Sequence, residues 1–169
     1  MLSDLDLPAT LTTRIGEVTV RRARPADLPA LMALLADDPI SAARGDRADA
    51  GDEATYDTAL RSVLDAPLND LLVVDDAGGV LIGTLQLTLI PGMARQGATR
   101  LLVEAVRVSS SRRSGGIGSA VMRWVMDVAA PATGATLVQL TSDAARVDAH
   151  RFYTRLGFVD SHIGFKYAL

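Results

Sequence analysis

The 169-residue sequence has no cysteine, which excludes disulfides, thiolate metal sites and a cysteine nucleophile, and which fits a cytoplasmic chain. Its two histidines, His150 and His162, are too few and too isolated to form a histidine metal cluster, so no metal is expected. Lysine occurs once, at Lys166, and every other basic residue is arginine. Seventeen basic residues against 20 acidic ones give a net charge of −3, which argues against global attraction to nucleic acid. No stretch approaches the ~18 consecutive apolar residues of a membrane span, so no membrane partner is expected. The opening "MLSDLDLPATL" carries acids where a secretion signal needs bases.

What is present points to a packed globular domain. Apolar residues make up 49% and charged residues 22%. Residues 1–16 read as a loosely held leader and 17–169 as a single domain. "EVTVRRAR" (17–24) alternates as a strand. Pro25 starts a helix carried by Leu28, Leu31, Met32 and Leu35. Residues 37–53 read as an acidic, breaker-rich loop, and Tyr56, Ala59, Leu60, Val63 and Leu64 mark a second amphipathic helix. Two apolar runs around "DDAGG" within residues 70–90 predict a hairpin. "RLLVEAVRV" (100–108) is apolar on both alternating faces, as a doubly covered strand should be. The next helix has Ile117, Val121, Trp124, Val125 and Val128 inward and ends at Pro131 and Gly134. "TLVQLTS" (136–142) is a strand, Ala149, Phe152, Tyr153 and Leu156 give a helix face capped by Gly157, and "FVDSHIGFKYAL" predicts a final strand. The order β-α-α-β-β-β-α-β-α-β describes a mixed α/β sheet.

The segment "RRSGGIGS" (112–119) lies between a strand and a helix. Free N–H groups and the helix dipole make such a turn an anion site, although a tight turn can need glycine for geometry alone. Arg112 and Arg113 can close over an anion there. The dinucleotide fingerprint fails, because Val121 stands where its third glycine belongs, and the P-loop fails for lack of Gly-Lys. The pattern Arg113-x-x-Gly116-x-Gly118, after "VEAVRV" and before an apolar helix, resembles motif A of the GNAT acyl-CoA N-acyltransferase superfamily. "AHRFYTRLGF" (149–158) is similar to that family's A-x-x-F-Y-x-x-x-G-F signature. Together the two matches span residues 100–169.

The resemblance implies a mostly antiparallel central sheet of about six to seven strands flanked by about four helices. It implies acetyl-CoA as cosubstrate, with its pyrophosphate on Arg113, Ser114, Gly115, Gly116, Ile117, Gly118 and Ser119. Its pantetheine chain would pair with the backbone of Val106, Arg107 and Val108. Arg146 stands where many members have a cofactor-touching asparagine.

Transfer from a thioester to an amine requires a neutral amine, a hydrogen-bond donor for the carbonyl oxygen and stabilisation of the departing thiolate. The resemblance puts Tyr153 beside the CoA sulfur as that donor; otherwise it is a core tyrosine next to Phe152. Glu104 is the only ionisable group in "LLVEAV". Alternation, barring a bulge, sets it on one face with Leu102, Val106 and Val108. In the family such a glutamate serves as base, directly or through water; otherwise it is structural. His150 faces away from the helix's apolar side, His162 lies in the last strand, and Ser109–Ser111 lack a His/Asp setting. With no acyl-enzyme nucleophile readable, transfer is expected to be direct, within a ternary complex.

The acceptor is expected to be a small-molecule or peptide amine. Seven acids across 37–57 (Asp37, Asp38, Asp46, Asp49, Asp52, Glu53 and Asp57) suit a cation, or are simply solvated. A homodimer is compatible with this reading. The alternative function is a non-catalytic acyl-CoA-binding or regulatory module on the same fold.

Overall fold

The computed structural model describes residues 1–43 and 45–167. Six strands form one sheet in sequential order: β1 (Ala9–Thr13), β2 (Gly16–Arg22), β3 (Asn69–Asp76), β4 (Leu81–Ile90), β5 (Arg100–Val108) and β6 (Leu137–Leu140). Every neighbouring pair is antiparallel except β5 and β6, which run parallel. The helices are α1 (Leu28–Ala36), α2 (Pro39–Ala43), α3 (Glu53–Leu64), α4 (Ile117–Trp124) and α5 (Val147–Arg155), joined by shorter helical turns. This is the expected mixed, mostly antiparallel architecture, with more short helices than the four anticipated.

Alternation along the strands divides the core in two. Val18, Val20, Leu72, Val74, Leu85, Leu87, Leu101 and Val103 face α4, whose Ile117, Val121, Met122 and Trp124 cover them. Val73 faces the other way, towards Leu28, Leu31 and Met32 of α1 and Leu60 of α3. Each fully buried Leu or Val contributes about 1.5–3 kcal/mol relative to exposure, so both layers hold the sheet from which the site is built.

Four expectations are corrected. Residues 1–16 are not loosely held: β1 pairs with β2 from Ala9↔Val20 to Thr13↔Gly16, and Leu2 and Leu5 are buried in the main core. Arg22 also donates to the Leu2 carbonyl at 2.7 Å. Within 37–53, α2 and a 3-10 turn at Ala50–Asp52 interrupt the loop. After α4 the chain passes through a π-helical turn, Val125–Ala129, and then Ala130–Ala132. The wider turn rotates the helical register, so Val128 is half exposed and Ala129 and Ala130 point inward. It also lets the helix continue past Pro131, which has no N–H to place in a regular ladder. Finally, residues 158–167 form no strand: the segment pairs with no strand among the described residues.

Candidate active site

The cleft begins where two parallel strands part. β5 and β6 pair from Arg100↔Leu137 to Val103↔Leu140, and β6 stops there while β5 continues to Val108. Among the described residues, the β6-side edge of β5 is therefore without a strand partner from Glu104 to Val108, a length of backbone suited to pair with an extended ligand.

A β-bulge redirects the side chains at this point. Thr84 opposes Arg107 and Gln86 opposes Glu104, so Leu85 faces two residues, Ala105 and Val106. Ala105 takes up the extra length at φ 50°. The bulge reverses the alternation. Val106 and Val108 pack on the α4-side core, whereas Glu104 shares the opposite face with Leu102 and Arg107. The expected face of Leu102, Glu104, Val106 and Val108 is thus broken. Glu104 is solvent-exposed.

The floor of the cleft is the start of α4. The N–H groups of Ser114, Gly116, Ile117, Gly118 and Ser119 donate to no backbone carbonyl outside the helix ladder, among the described residues. Gly116 caps the helix at φ 84°, a conformation that disfavours a side chain. The glycines also serve the fold. The β1–β2 turn docks on them through Arg14 N–H to the Gly115 carbonyl at 3.0 Å, and a Cβ on Gly115 would lie 2.9 Å from Ile15 Cδ1. Arg112 pairs with Asp76 at 3.0 Å, and exposed Arg113 leans back to the Val108 carbonyl at 3.3 Å.

Opposite the floor stands a polar cluster. Asp38, 6% exposed, holds both terminal nitrogens of Arg146 at 2.6 Å and accepts the N–H groups of Ile40 and Ser41 at the start of α2. The Arg146 guanidinium beside it keeps the Asp38 carboxyl well below the usual range. Arg146, expected to touch the cofactor, directs those two nitrogens at Asp38. Arg107 donates to Ser41 Oγ at 2.7 Å and to its own strand's Val106 carbonyl at 2.9 Å, while its buried Nε has no partner. Burial pushes the Arg107 guanidinium down, and neighbouring Arg146 adds to this.

Tyr153 closes the cluster from α5. Its ring makes edge contacts with Phe152 (5.0 Å) and Phe158 (5.8 Å). Burial raises its phenol, partly offset by Arg107 and Arg146, so it stays protonated at neutral pH and able to donate. His150 is exposed, with Nε2 2.8 Å from the Asp143 carbonyl oxygen, and His162 is exposed beside Ser161. Sequence patterns place Asp38 only among the loop acids that suit a cation, and do not single out Ser41 at all. The available signal is Asp38-Pro39, a helix cap and an N1 proline.

Four of the seven loop acids have side-chain or backbone partners among the described residues, and only Asp38 is buried. Asp37 accepts from the N–H and hydroxyl of Ser110, Asp38 from Arg146, Asp46 from Tyr56 and Asp57 from Arg61. No group of three or more metal-ligating side chains occurs among the described residues, and no helix there is long and apolar enough to cross a membrane.

Known proteins match this arrangement. Aminoalkylphosphonate N-acetyltransferase of Salmonella typhimurium is 45% identical over 53 residues, 31% of this chain, and the match spans 34% of that protein. A transcriptional regulator from Bacillus halodurans C-125 superposes with a TM-score of 0.84 at 37% identity, over 90% of this chain and 99% of its own. Glucosamine-6-phosphate N-acetyltransferase from Arabidopsis thaliana shares the fold, with a TM-score of 0.70 at 17% identity over 89% of this chain and 97% of its own. The model of the Acetyltransferase (GNAT) family matches residues 29–158, and the chain belongs to that family.

Proposed function

We propose that the protein is an N-acetyltransferase that moves an acetyl group from acetyl-CoA to a primary amine directly, within a ternary complex and in the cytoplasm. The observation that carries this is the parting of β5 from β6 directly beside the uncommitted N–H groups that open α4. Acetyl-CoA supplies the activated thioester. The N–H groups of Ser114 and Gly116–Ser119 receive its pyrophosphate, with Gly115 giving backbone clearance and Arg113 at the rim. The backbone of Val106, Arg107 and Val108 aligns the pantetheine arm. Tyr153, protonated and half-buried, donates to the leaving sulfur. Glu104, exposed to water, takes up the amine's proton through solvent.

The test of cofactor binding changes the ligand and not the chain, because Gly116 is constrained by its φ and by Arg14 at 3.3 Å. Calorimetry should show acetyl-CoA binding at least tenfold tighter than acetyl-pantetheine, which lacks the diphosphate. Equal affinities would reject the pyrophosphate site. For the chemistry, Tyr153→Phe should lower kcat roughly 10²-fold with acetyl-CoA affinity unchanged. Glu104→Gln should lower kcat at neutral pH and recover as pH rises and free amine accumulates. Wild-type kcat in both variants from pH 6 to 9 would remove the catalytic assignment.

The acceptor carries an acidic group besides its amine. Asp38, the one buried acid of the loop, is held by Arg146, while Arg107 has no carboxylate partner among the described residues. The phosphonate acceptor in the name of the Salmonella relative supports this reading. Arg107→Met should raise KM for an aminoalkylphosphonate at least tenfold and leave a matched neutral alkylamine unchanged. Equal effects on both would reject it.

A second reading, an acyl-CoA-binding regulator, draws on the name of the Bacillus halodurans relative. Acetyl-CoA binding with no thiol release across an amine panel would favour it.

A further inference from the structure

The hairpin of β1 and β2 reaches beyond the sheet to the turn that opens α4. At its tip, Arg14 N–H donates to the Gly115 carbonyl at 3.0 Å. A Cβ built on Gly116 would lie 3.3 Å from Arg14 Cγ and 3.7 Å from its Nε. The Arg14 side chain therefore runs across the cap of α4. This arginine precedes residues 29–158, the part matched by the GNAT family model, so the family's shared pattern assigns it no role.

From that tip a groove of about 590 Å³ extends along the outer face of α4. Residues 10–14 form one wall, and Gly116, Ser119, Ala120 and Arg123 form the other. Ser119 and Arg123 are four positions apart and share one helix face. Helical side chains lean towards the N-terminus, so Arg123 serves the Gly116 end of the groove. Arg14 and Arg123 are both exposed. Neither guanidinium, nor the Ser119 hydroxyl, has a hydrogen bond or ion pair among the described residues. Arg21, Arg22, Arg112 and Arg146 differ in this respect, since each is paired with an aspartate. The acid that lines the groove, Asp127, is four positions beyond Arg123, away from the cap.

We propose, on the acetyl-CoA reading of the site, that this groove receives the 3′-phosphate of the cofactor, with Arg14 and Arg123 as the residues that select it. In coenzyme A the 3′-phosphate stands one ribose away from the diphosphate. A diphosphate on Ser114–Ser119 therefore sets it beside the cap, where Arg14 crosses. It is a monoester with a charge of about −1.5 to −2 at neutral pH, the highest charge on any single phosphate of the cofactor. Two guanidinium forks without carboxylate partners match such a group, and the Ser119 hydroxyl adds a neutral donor. Asp127 stands too far along the groove to neutralise either arginine, as the lack of an ion pair with Arg123 shows. The N-terminal hairpin thus belongs to the cofactor site as well as to the sheet.

Calorimetry on the full-length protein with three ligands tests this: acetyl-CoA, acetyl-dephospho-CoA, which lacks only the 3′-phosphate, and acetyl-pantetheine, which lacks the diphosphate too. Wild type should bind acetyl-dephospho-CoA about tenfold more weakly than acetyl-CoA. Arg14→Gln with Arg123→Gln should weaken acetyl-CoA by the same factor and leave acetyl-dephospho-CoA unchanged, with wild-type circular dichroism. Equal wild-type affinities for acetyl-CoA and acetyl-dephospho-CoA overturn the proposal, a comparison that needs no substitution. If both still bind more tightly than acetyl-pantetheine, the acetyl-CoA reading stands without it. A preference for the 3′-phosphate that survives in the double variant also overturns the proposal, because other residues then hold that group. Equal affinities for all three ligands overturn the acetyl-CoA reading and the proposal together.

Discussion

The two ends of the chain reverse what their sequences suggest. Residues 1–16 look like an unstructured leader, yet they add β1 to the sheet and bury Leu2 and Leu5. Residues 158–167 look like a strand, yet they pair with no strand among the described residues. The first end has a modest pattern and a waiting partner: the edge of β2, the apolar layer beneath it and the Arg22 guanidinium. The second has a strong pattern and no strand partner among the described residues. Local periodicity specifies what a segment can bury, not what lies beside it.

Truncation should break the comparison most sharply. Removing residues 1–13 deletes two buried leucines, each contributing about 2–5 kcal/mol by the usual large-to-small scale, and the β1 ladder. Against a typical total of about 5–15 kcal/mol, the shortened chain should show no cooperative urea transition. Removing 159–169 should leave the stability of the chain within about 1 kcal/mol of wild type. A normal transition in the first truncation would mean that the N-terminal arm is an accessory.

Next in size is the Asp38–Arg146 pair, which fixes the start of α5 and hence the point from which the C-terminal segment departs. Asp38→Asn leaves Arg146 without its counter-charge and should cost about 3 kcal/mol in denaturant titration. Because Asp38 is held below its usual 3.8, its contribution is fully present above that pH and is lost only as pH falls from there towards its lower native value. Wild type should therefore lose more stability than Asp38→Asn below pH 4, with parallel curves above pH 5. Parallel curves throughout would show that the pair is not coupled to folding.

A smaller effect, of about 1–2 kcal/mol, is expected for Gly115→Ala, whose new methyl meets Ile15 Cδ1 at 2.9 Å and the Arg112 carbonyl at 3.1 Å. Ile15→Ala should recover part of that loss, through the docked β1–β2 turn. No recovery would assign the strain to the Arg112 carbonyl. Smallest of all, Val159→Ser, at a 78% exposed position, should change stability by no more than about 0.5 kcal/mol.

The site is legible in the sequence to different depths. The anion turn can be read from Gly116, Gly118 and the apolar helix after them, because free N–H groups at a helix start are a local property. Tyr153 is reached through the A-x-x-F-Y-x-x-x-G-F resemblance, and its burial supplies the physical reason it remains a donor. The face of Glu104 is not readable from alternation, because one extra residue at Ala105 reverses every side chain beyond it. The Asp38, Ser41, Arg107 and Arg146 cluster joins residues up to 108 positions apart, a separation no window along the sequence can bridge.

By itself, the sequence determined the order of the longer helices and strands between residues 17 and 157, the two apolar faces of the sheet and the turn that opens α4. Each comes from periodicity, capping and backbone freedom over a few neighbouring residues. Tertiary structure alone decided that the first sixteen residues are integral and that residues 158–167 pair with no strand among the described residues. It also decided that a bulge sets Glu104 and Arg107 on one face, and that Asp38, alone among the loop acids, turns inward. Each of these depends on which distant surface is within reach, and that is settled only when the chain packs.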